Sequence, residues 1–229
     1  MSPRRAAGNR PCLVELVGPA GAGKTTLAAA LRVVEPALAS GPGLWGLPLR
    51  DLATGAGSLL PMFLSAALRG RPYDRAEMAQ MIRLEALCSA VARAQAGGRP
   101  LVLDEGPVFA LSWLEVHYAN GHDPARTAWR RRMLAEWAFR LDAVVRMDVD
   151  DAAIAYRIRT RTKPHQVKHA PDEEIRDFTA RFRDAFDRVL AGMAACSAVA
   201  VHYVPSSDGA VSDDAVRVRD AIAQALSEH

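Results

Sequence analysis

The chain has 229 residues, half of them hydrophobic, and a formal net charge of +3 at pH 7. This length fits one domain with a sizeable core. So mild a charge argues only weakly for nucleic acid, and anionic small molecules suffice as partners, so we expect no nucleic-acid partner. Its three widely spaced cysteines predict reduced, buried, structural thiols, and the absence of a membrane-length apolar run or signal segment predicts a cytoplasmic protein without a membrane partner.

Strand-like and helix-forming runs alternate along the chain, and this alternation predicts an α/β fold with a five-stranded parallel sheet flanked by helices. The predicted strands lie at 12–17, 44–49, 100–104, 143–148 and 199–204. The predicted helices lie at 24–34, 59–68, 75–95, 125–141, 151–160, 172–195 and 213–226. We expect residues 1–10 to form a disordered basic tail and residues 11–229 to form a single domain with a small arginine-rich lid near 157–170.

The segment after the first predicted strand reads GPAGAGKTT and fits the phosphate-binding P-loop pattern G-x-x-x-x-G-K-[ST]. Its glycines allow backbone N–H groups to point at a phosphate, and the following helix adds a partial positive charge there. Lys24 is expected to bind the β- and γ-phosphates and Thr25 a magnesium ion. The predicted cofactors are therefore ATP and Mg²⁺, and the predicted nucleotide-binding residues are Gly18, Ala20, Gly21, Ala22, Gly23, Lys24, Thr25 and Thr26.

A second acidic motif follows the apolar run that ends at Leu103. Ligands collect at the carboxyl edge of parallel sheets, so Asp104 is placed to hold magnesium opposite Thr25. Glu105 is placed to accept a proton from an attacking nucleophile or to orient it. The alternative is an ordinary strand followed by a polar turn.

A basic segment follows the helix predicted at 151–160. Its charged members are Arg157, Arg159, Arg161, Lys163, His165, Lys168 and His169. Phosphoryl transfer requires positive charge around the migrating group and exclusion of water, which a mobile flap supplies. Arg157 and Arg161 are the predicted catalytic arginines, and a solvated basic face is the alternative.

These motifs together resemble the thymidylate-kinase-like, nucleoside and nucleotide kinase branch of the P-loop proteins. The resemblance rests on the P-loop and on four further segments, namely Met81–Glu85, Asp104–Pro107, Met147–Arg159 and Val204–Asp208. It implies that Arg83 faces the substrate, that 147–159 leads into the lid, and that 204–208 lies beside the adenine. Glu105 stands where this family has an arginine against the acceptor, and it therefore also becomes a candidate substrate contact.

The sequence therefore predicts a kinase that transfers the γ-phosphate of ATP to a hydroxyl of a small acceptor, such as a nucleoside, a sugar or a natural product. Because a phosphate would be repelled by Glu105, we expect an acceptor without one at that point. A nucleoside monophosphate kinase is the first alternative, and a regulatory P-loop ATPase is the second. A homodimer is a further possibility.

Overall fold

A computed structural model describes residues 10–118, 123–162, 164–197, 199–205 and 211–227. In this part of the chain, one five-stranded sheet has the order β2-β3-β1-β4-β5, with all neighbouring strands parallel. The fold class predicted from the sequence is confirmed. Residues 1–9 of the expected tail, Lys163 of the basic segment and positions 206–208 of the expected adenine loop lie outside the described residues.

The strands are β1 (Leu13–Val17), β2 (Ala39–Ser40), β3 (Leu101–Leu103), β4 (Ala143–Asp148) and β5 (Ala200–Pro205). The helices are α1 (Lys24–Val34), α2 (Leu49–Leu68), α3 (Arg75–Gln95), α4 (Pro107–Tyr118), α5 (Pro124–Arg140), α6 (Asp151–Thr160), α7 (Asp172–Ala194) and α8 (Val211–Ser227). Helix α1 packs against α8, α4 against α7, and α2 against α3. Strand β1 is buried along its whole length, as expected for the centre of a parallel sheet.

The strand predicted at 44–49 is wrong, because the second strand is the two-residue β2 further upstream. Ala39 and Ser40 pair with Leu101 and Val102 of β3. Gly41 extends this contact by donating its N–H to the Val102 carbonyl at 2.8 Å. The predicted segment forms a loop instead. Its apolar pattern reflects two buried leucines, Leu44 and Leu47, which anchor that loop to the core.

Helix α4 was not among the predicted elements, although it positions much of the site. Its sequence PVFALSWLEVHY is apolar almost throughout, so it lacks the periodicity of a half-exposed helix. The reason is that α4 lies between α3 and α7 and buries side chains on both sides. The carboxyl ends of β1 and β3 and the start of α4 consequently converge at one edge of the sheet.

Helix α2 is long and apolar enough to cross a membrane by length and composition alone, although it packs along α3. The expectation that no apolar run reaches that length is therefore wrong for this helix. A single helix of this kind is weak evidence for a membrane span, so the absence of a membrane partner remains a prediction. The cysteine prediction is also wrong in part, because Cys12 and Cys88 are buried whereas Cys196 is exposed.

Candidate active site

The P-loop runs from β1 into α1, and two of its glycines have backbone angles that only glycine adopts easily. Gly21 has φ of 85° and Gly23 has φ of 92°. Gly18 is required for a different reason, since a Cβ there would lie 3.0 Å from the Cβ of Ala22 and 3.3 Å from that of Met147. Gly21 and Gly23 therefore provide the left-handed backbone turns of the loop, and Gly18 allows the loop backbone to approach β4 closely.

Lys24 is the first residue of α1, and its ammonium folds back onto its own loop. The Nζ atom donates to the Gly18 carbonyl at 2.8 Å and to the Pro19 carbonyl at 3.1 Å. Burial lowers the pKa of Lys24, and the negative charges of Asp104 and Glu105 oppose that shift. Both predicted acidic residues therefore act electrostatically on the predicted phosphate-binding lysine.

Thr25 and Asp104 meet across the site, as the magnesium prediction requires. The Thr25 hydroxyl donates to Asp104 Oδ2 at 2.6 Å. The other carboxylate oxygen, Oδ1, is buried without a hydrogen-bond partner. A buried, unpaired carboxylate oxygen next to a threonine hydroxyl fits Mg²⁺, which prefers hard oxygen ligands. No group of three His, Cys, Asp or Glu side chains in the described ranges forms a metal site.

Glu105 faces a tryptophan from the loop after β2. Trp45 Nε1 donates to Glu105 Oε2 at 2.7 Å, and the guanidinium of Arg83 lies 4.4 Å from the centre of the Trp45 ring. Arg83 thus stacks on the face of Trp45, as arginines do on aromatic rings. Trp45 links the two predicted substrate residues, yet nothing in the sequence assigned it to the site.

A buried carboxylate on the P-loop strand holds the start of α4. Glu15 accepts hydrogen bonds from the backbone N–H groups of Gly106 at 3.1 Å, Val108 at 2.9 Å and Phe109 at 3.0 Å. These are the unpaired donors at a helix N-terminus, where a negative charge is favourable. Burial nevertheless raises the pKa of Glu15 from 4.5 to about 7, with the three N–H groups and the Lys24 charge opposing the shift.

Gly106 is the other half of this arrangement. A Cβ at this position would lie 2.7 Å from Glu15 Cδ and 2.9 Å from Leu103 Cδ1, closer than real side chains approach. The sequence Asp104-Glu105-Gly106-Pro107 therefore has a structural explanation. Gly106 allows the Glu15 carboxylate to reach the helix end, and this contact fixes the turn that carries Asp104 and Glu105.

Helix α6 rests directly on the P-loop. A Cβ on Gly21 would lie 3.3 Å from the Ile154 carbonyl and 3.4 Å from Ile158 Cγ1. Arg157 approaches the Gly21 carbonyl at 3.4 Å. Arg161 follows the end of α6, and its positive charge contributes to lowering the pKa of Lys24. Arg159, in contrast, pairs with Asp172 and donates to the Ala170 carbonyl at 3.1 Å, away from the P-loop.

One cavity of about 640 Å³ brings most of the predicted site residues together. Those that line it are Ala20, Gly21, Gly23, Lys24, Thr25, Thr26, Glu105, Arg157 and Arg161. Gly18 and Ala22 lie behind this surface, and Asp104 reaches it through Thr25. Arg83 is not part of the lining and approaches the site only through Trp45.

The geometry at the carboxyl end of β1 and β3 is that of a P-loop on a parallel sheet, and comparison with solved structures finds the same fold. No family model and no curated protein matches the sequence. Two structures of a deoxyadenosine kinase from M. mycoides, one with dCMP and dCDP and one with dCTP, align with TM-scores of 0.57 and 0.56. Each is 13% identical and covers 93% of this chain and 99% of the other. A shikimate kinase from Acinetobacter baumannii, 16% identical, aligns over 93% of this chain and 94% of its own with a TM-score of 0.45.

Proposed function

We propose that this protein is an ATP- and magnesium-dependent kinase that phosphorylates a hydroxyl of a small molecule. The contact between Thr25 and Asp104 carries the proposal, because it leaves a buried carboxylate oxygen unpaired beside Lys24. Glu105, Arg157 and Arg161 line the same cavity. The P-loop kinase fold supports the class of reaction and leaves the acceptor open.

In the proposed reaction, Lys24 and the N–H groups of the P-loop bind the β- and γ-phosphates. When bound, magnesium would neutralise phosphate charge between Thr25 and Asp104. Glu105 accepts the proton of the acceptor hydroxyl as its oxygen forms a bond to the γ-phosphorus. The bond from that phosphorus to the bridging oxygen breaks, and ADP leaves. Arg157 and Arg161 stabilise the charge on the transferring group, so that catalysis rests on positioning and electrostatics.

The environment of Glu105 supports its role as the proton acceptor. Trp45 donates a hydrogen bond to one oxygen of the Glu105 carboxylate. This hydrogen bond orients the carboxylate and leaves its second oxygen available to the acceptor. The carboxylate also acts on Lys24, because its negative charge raises the pKa of that lysine against the effect of burial. A carboxylate within hydrogen-bond reach of a hydroxyl is the usual arrangement for general base catalysis.

A nucleoside monophosphate kinase is the second candidate, and one observation favours it. The Arg83 guanidinium lies on Trp45, next to Glu105, where it is able to hold an acceptor phosphate despite the acid. We rank it second because an acceptor phosphate near Glu105 would meet like-charge repulsion.

The test is product formation from ATP and Mg²⁺ with thymidine monophosphate, other nucleoside monophosphates, and unphosphorylated nucleosides, sugars and alcohols. We expect unphosphorylated hydroxyl compounds to react best. Reaction with monophosphates alone would favour the second candidate, and ATP hydrolysis without transfer to any acceptor would favour a regulatory ATPase.

We further propose a cytoplasmic location, small molecules as the partners, and a single domain with a lid at 157–170. A homodimer remains a prediction.

A further inference from the structure

Beyond Glu105 the cavity is lined by aromatic rings. These are Phe109, Trp113 and His117 of α4, His165 of the segment between α6 and α7, and Phe178 and Phe182 of α7. We call these six residues the aromatic compartment. It opens onto the P-loop end of the cavity, so a molecule inside it can reach the phosphate-binding residues.

The packing of α4 against α7 builds this compartment. Phe109, Trp113 and His117 recur every four residues after Glu105, which places them on one face of α4. The Phe109 and Phe182 rings stack with centroids 6.4 Å apart, and Phe178 and Phe182 are 4.9 Å apart. Phe178 and Phe182 are 4% and 5% exposed, so they form a fixed floor. Phe109 and Trp113 are only half-buried and present open ring surface to the cavity.

Four of the six side chains of the compartment cannot ionise, and the pKa values of its two histidines are lowered. Burial lowers the pKa of His117, and the Arg181 charge adds to that shift. Burial and the Arg161 charge lower the pKa of His165 in the same way. Among the described residues that line the cavity, the lysine and arginines are Lys24, Arg157 and Arg161, and of these Arg161 also acts on His165 of the compartment. A charged or heavily hydroxylated body would lose water in the compartment and gain few matching partners, because only Trp113, His117 and His165 of its six side chains carry polar atoms, with Thr160 and Gln166 elsewhere in the cavity lining.

We infer that the acceptor is an uncharged alcohol or phenol with an aromatic or other apolar body that occupies the aromatic compartment. Its hydroxyl would lie at Glu105, one helical turn before Phe109. Rings gain from offset or edge contacts with Phe109 and Trp113 as well as from burial. This inference rests on the proposed kinase function and narrows its acceptor class: sugars, polyols and phosphorylated acceptors are disfavoured.

The first experiment compares acceptors of the wild-type protein at constant MgATP. The aromatic probes are benzyl alcohol, 3-phenylpropan-1-ol and naphthalen-2-ylmethanol, and the polar probes are glycerol, ribose, glucose and thymidine monophosphate. We expect kcat/KM to be at least about tenfold higher for the best aromatic probe than for any polar probe, since burial and ring contacts act only on the former. A polar probe that equals or exceeds the aromatic probes overturns the inference.

The second experiment uses Phe109→Leu, which replaces an aromatic ring by an apolar aliphatic side chain. With naphthalen-2-ylmethanol as the acceptor, we expect Phe109→Leu to raise KM about fivefold or more, because stacking surface is lost, with MgATP affinity unchanged. Phe139→Leu is the matched control, since Phe139 is 53% exposed at the end of α5. An equal response of Phe109→Leu and Phe139→Leu would contradict the inference.

Calorimetric binding of naphthalen-2-ylmethanol separates the inference from the proposed function. If no probe is phosphorylated but naphthalen-2-ylmethanol binds and Phe109→Leu weakens that binding, the kinase proposal fails and the compartment stands as a site for apolar ring compounds. If sugars are phosphorylated and naphthalen-2-ylmethanol neither binds nor reacts, the kinase proposal stands and the inference fails.

Discussion

At the scale of single residues, Glu15 gives the protein a predictable dependence of stability on pH. Because its pKa is raised from 4.5 to about 7, the folded chain keeps a proton between these pH values that the unfolded chain has lost. The contribution of Glu15 to stability therefore falls as pH rises from about 4.5 to 7 and is constant above that range.

We predict that Glu15→Gln removes this dependence, because glutamine does not titrate. The wild type should exceed the variant in free energy of unfolding by more at pH 5 than at pH 8, as measured by urea denaturation. Glu173→Gln is the control, since Glu173 is an exposed acid in the first turn of α7. Parallel pH curves for wild type and Glu15→Gln would show that Glu15 does not titrate in this range.

A second prediction at this scale concerns Lys24. Lys24→Ala should weaken ATP binding by at least about tenfold and lower turnover by roughly 100-fold or more, because one charged donor to the phosphates is lost. Calorimetry and a coupled ADP assay measure the two effects. Arg32→Ala, an exposed change in the last turn of α1, should leave both unchanged. Equal ATP affinity in Lys24→Ala and wild type would defeat the P-loop interpretation.

At the scale of elements, the start of α4 depends on the fit between Gly106 and Glu15. We predict that Gly106→Ala costs about 1–3 kcal/mol in free energy of unfolding and also lowers turnover, since its Cβ displaces a carboxylate that is already held by three N–H groups. Gly57→Ala in α2 is the matched control. Its Cβ would meet nothing within 4 Å, and alanine favours a helix, so stability should be equal or slightly higher. The same loss in both variants would argue against the proposed contact.

The proposed lid provides a second prediction at the scale of elements. Arg157→Ala and Arg161→Ala should each lower kcat by roughly 100-fold while ATP affinity changes less than about threefold, because charges that act on the transition state affect kcat most. Arg159→Ala is the control on the same helix. It loses the ion pair with Asp172 and should cost stability without a comparable loss in kcat. Similar kcat values for all three variants would identify the basic segment as a solvated face.

The elements also show which parts of the structure were predictable. The P-loop and helix α3 are contiguous in sequence and have strong local patterns, so their residues could be assigned directly. Glu15 and Trp45 could not, because they reach their partners across 91 and 60 residues, and only the fold brings them together. Helix α4 and strand β2 lacked local signals. The former is buried on both sides, and the latter has two residues.

At the scale of the whole molecule, nucleotide binding should stabilise the fold. A ligand that binds only the folded chain at about 100 times its dissociation constant adds about 2.7 kcal/mol, which for a domain of this size corresponds to roughly 5–10 °C in Tm. We predict this shift for MgATP in a thermal denaturation scan, a smaller one for ATP without magnesium, and at most about half of it for Lys24→Ala at the same MgATP concentration, because a tenfold weaker affinity leaves about 1.4 kcal/mol. An unchanged wild-type Tm in saturating MgATP would argue against nucleotide binding.

The hydrogen bonds from Lys24 to the carbonyls of Gly18 and Pro19 have a consequence for discrimination among anions. The ammonium has three N–H donors and two are already engaged, so an incoming anion that takes only the third gains little beyond charge attraction. Chloride or bicarbonate offers a single charge and few acceptor atoms, which leaves little net advantage. A triphosphate offers several oxygens and a high charge density, and it replaces both contacts with stronger charge-assisted ones. We therefore expect common salts and buffer ions to compete poorly with a triphosphate for this loop.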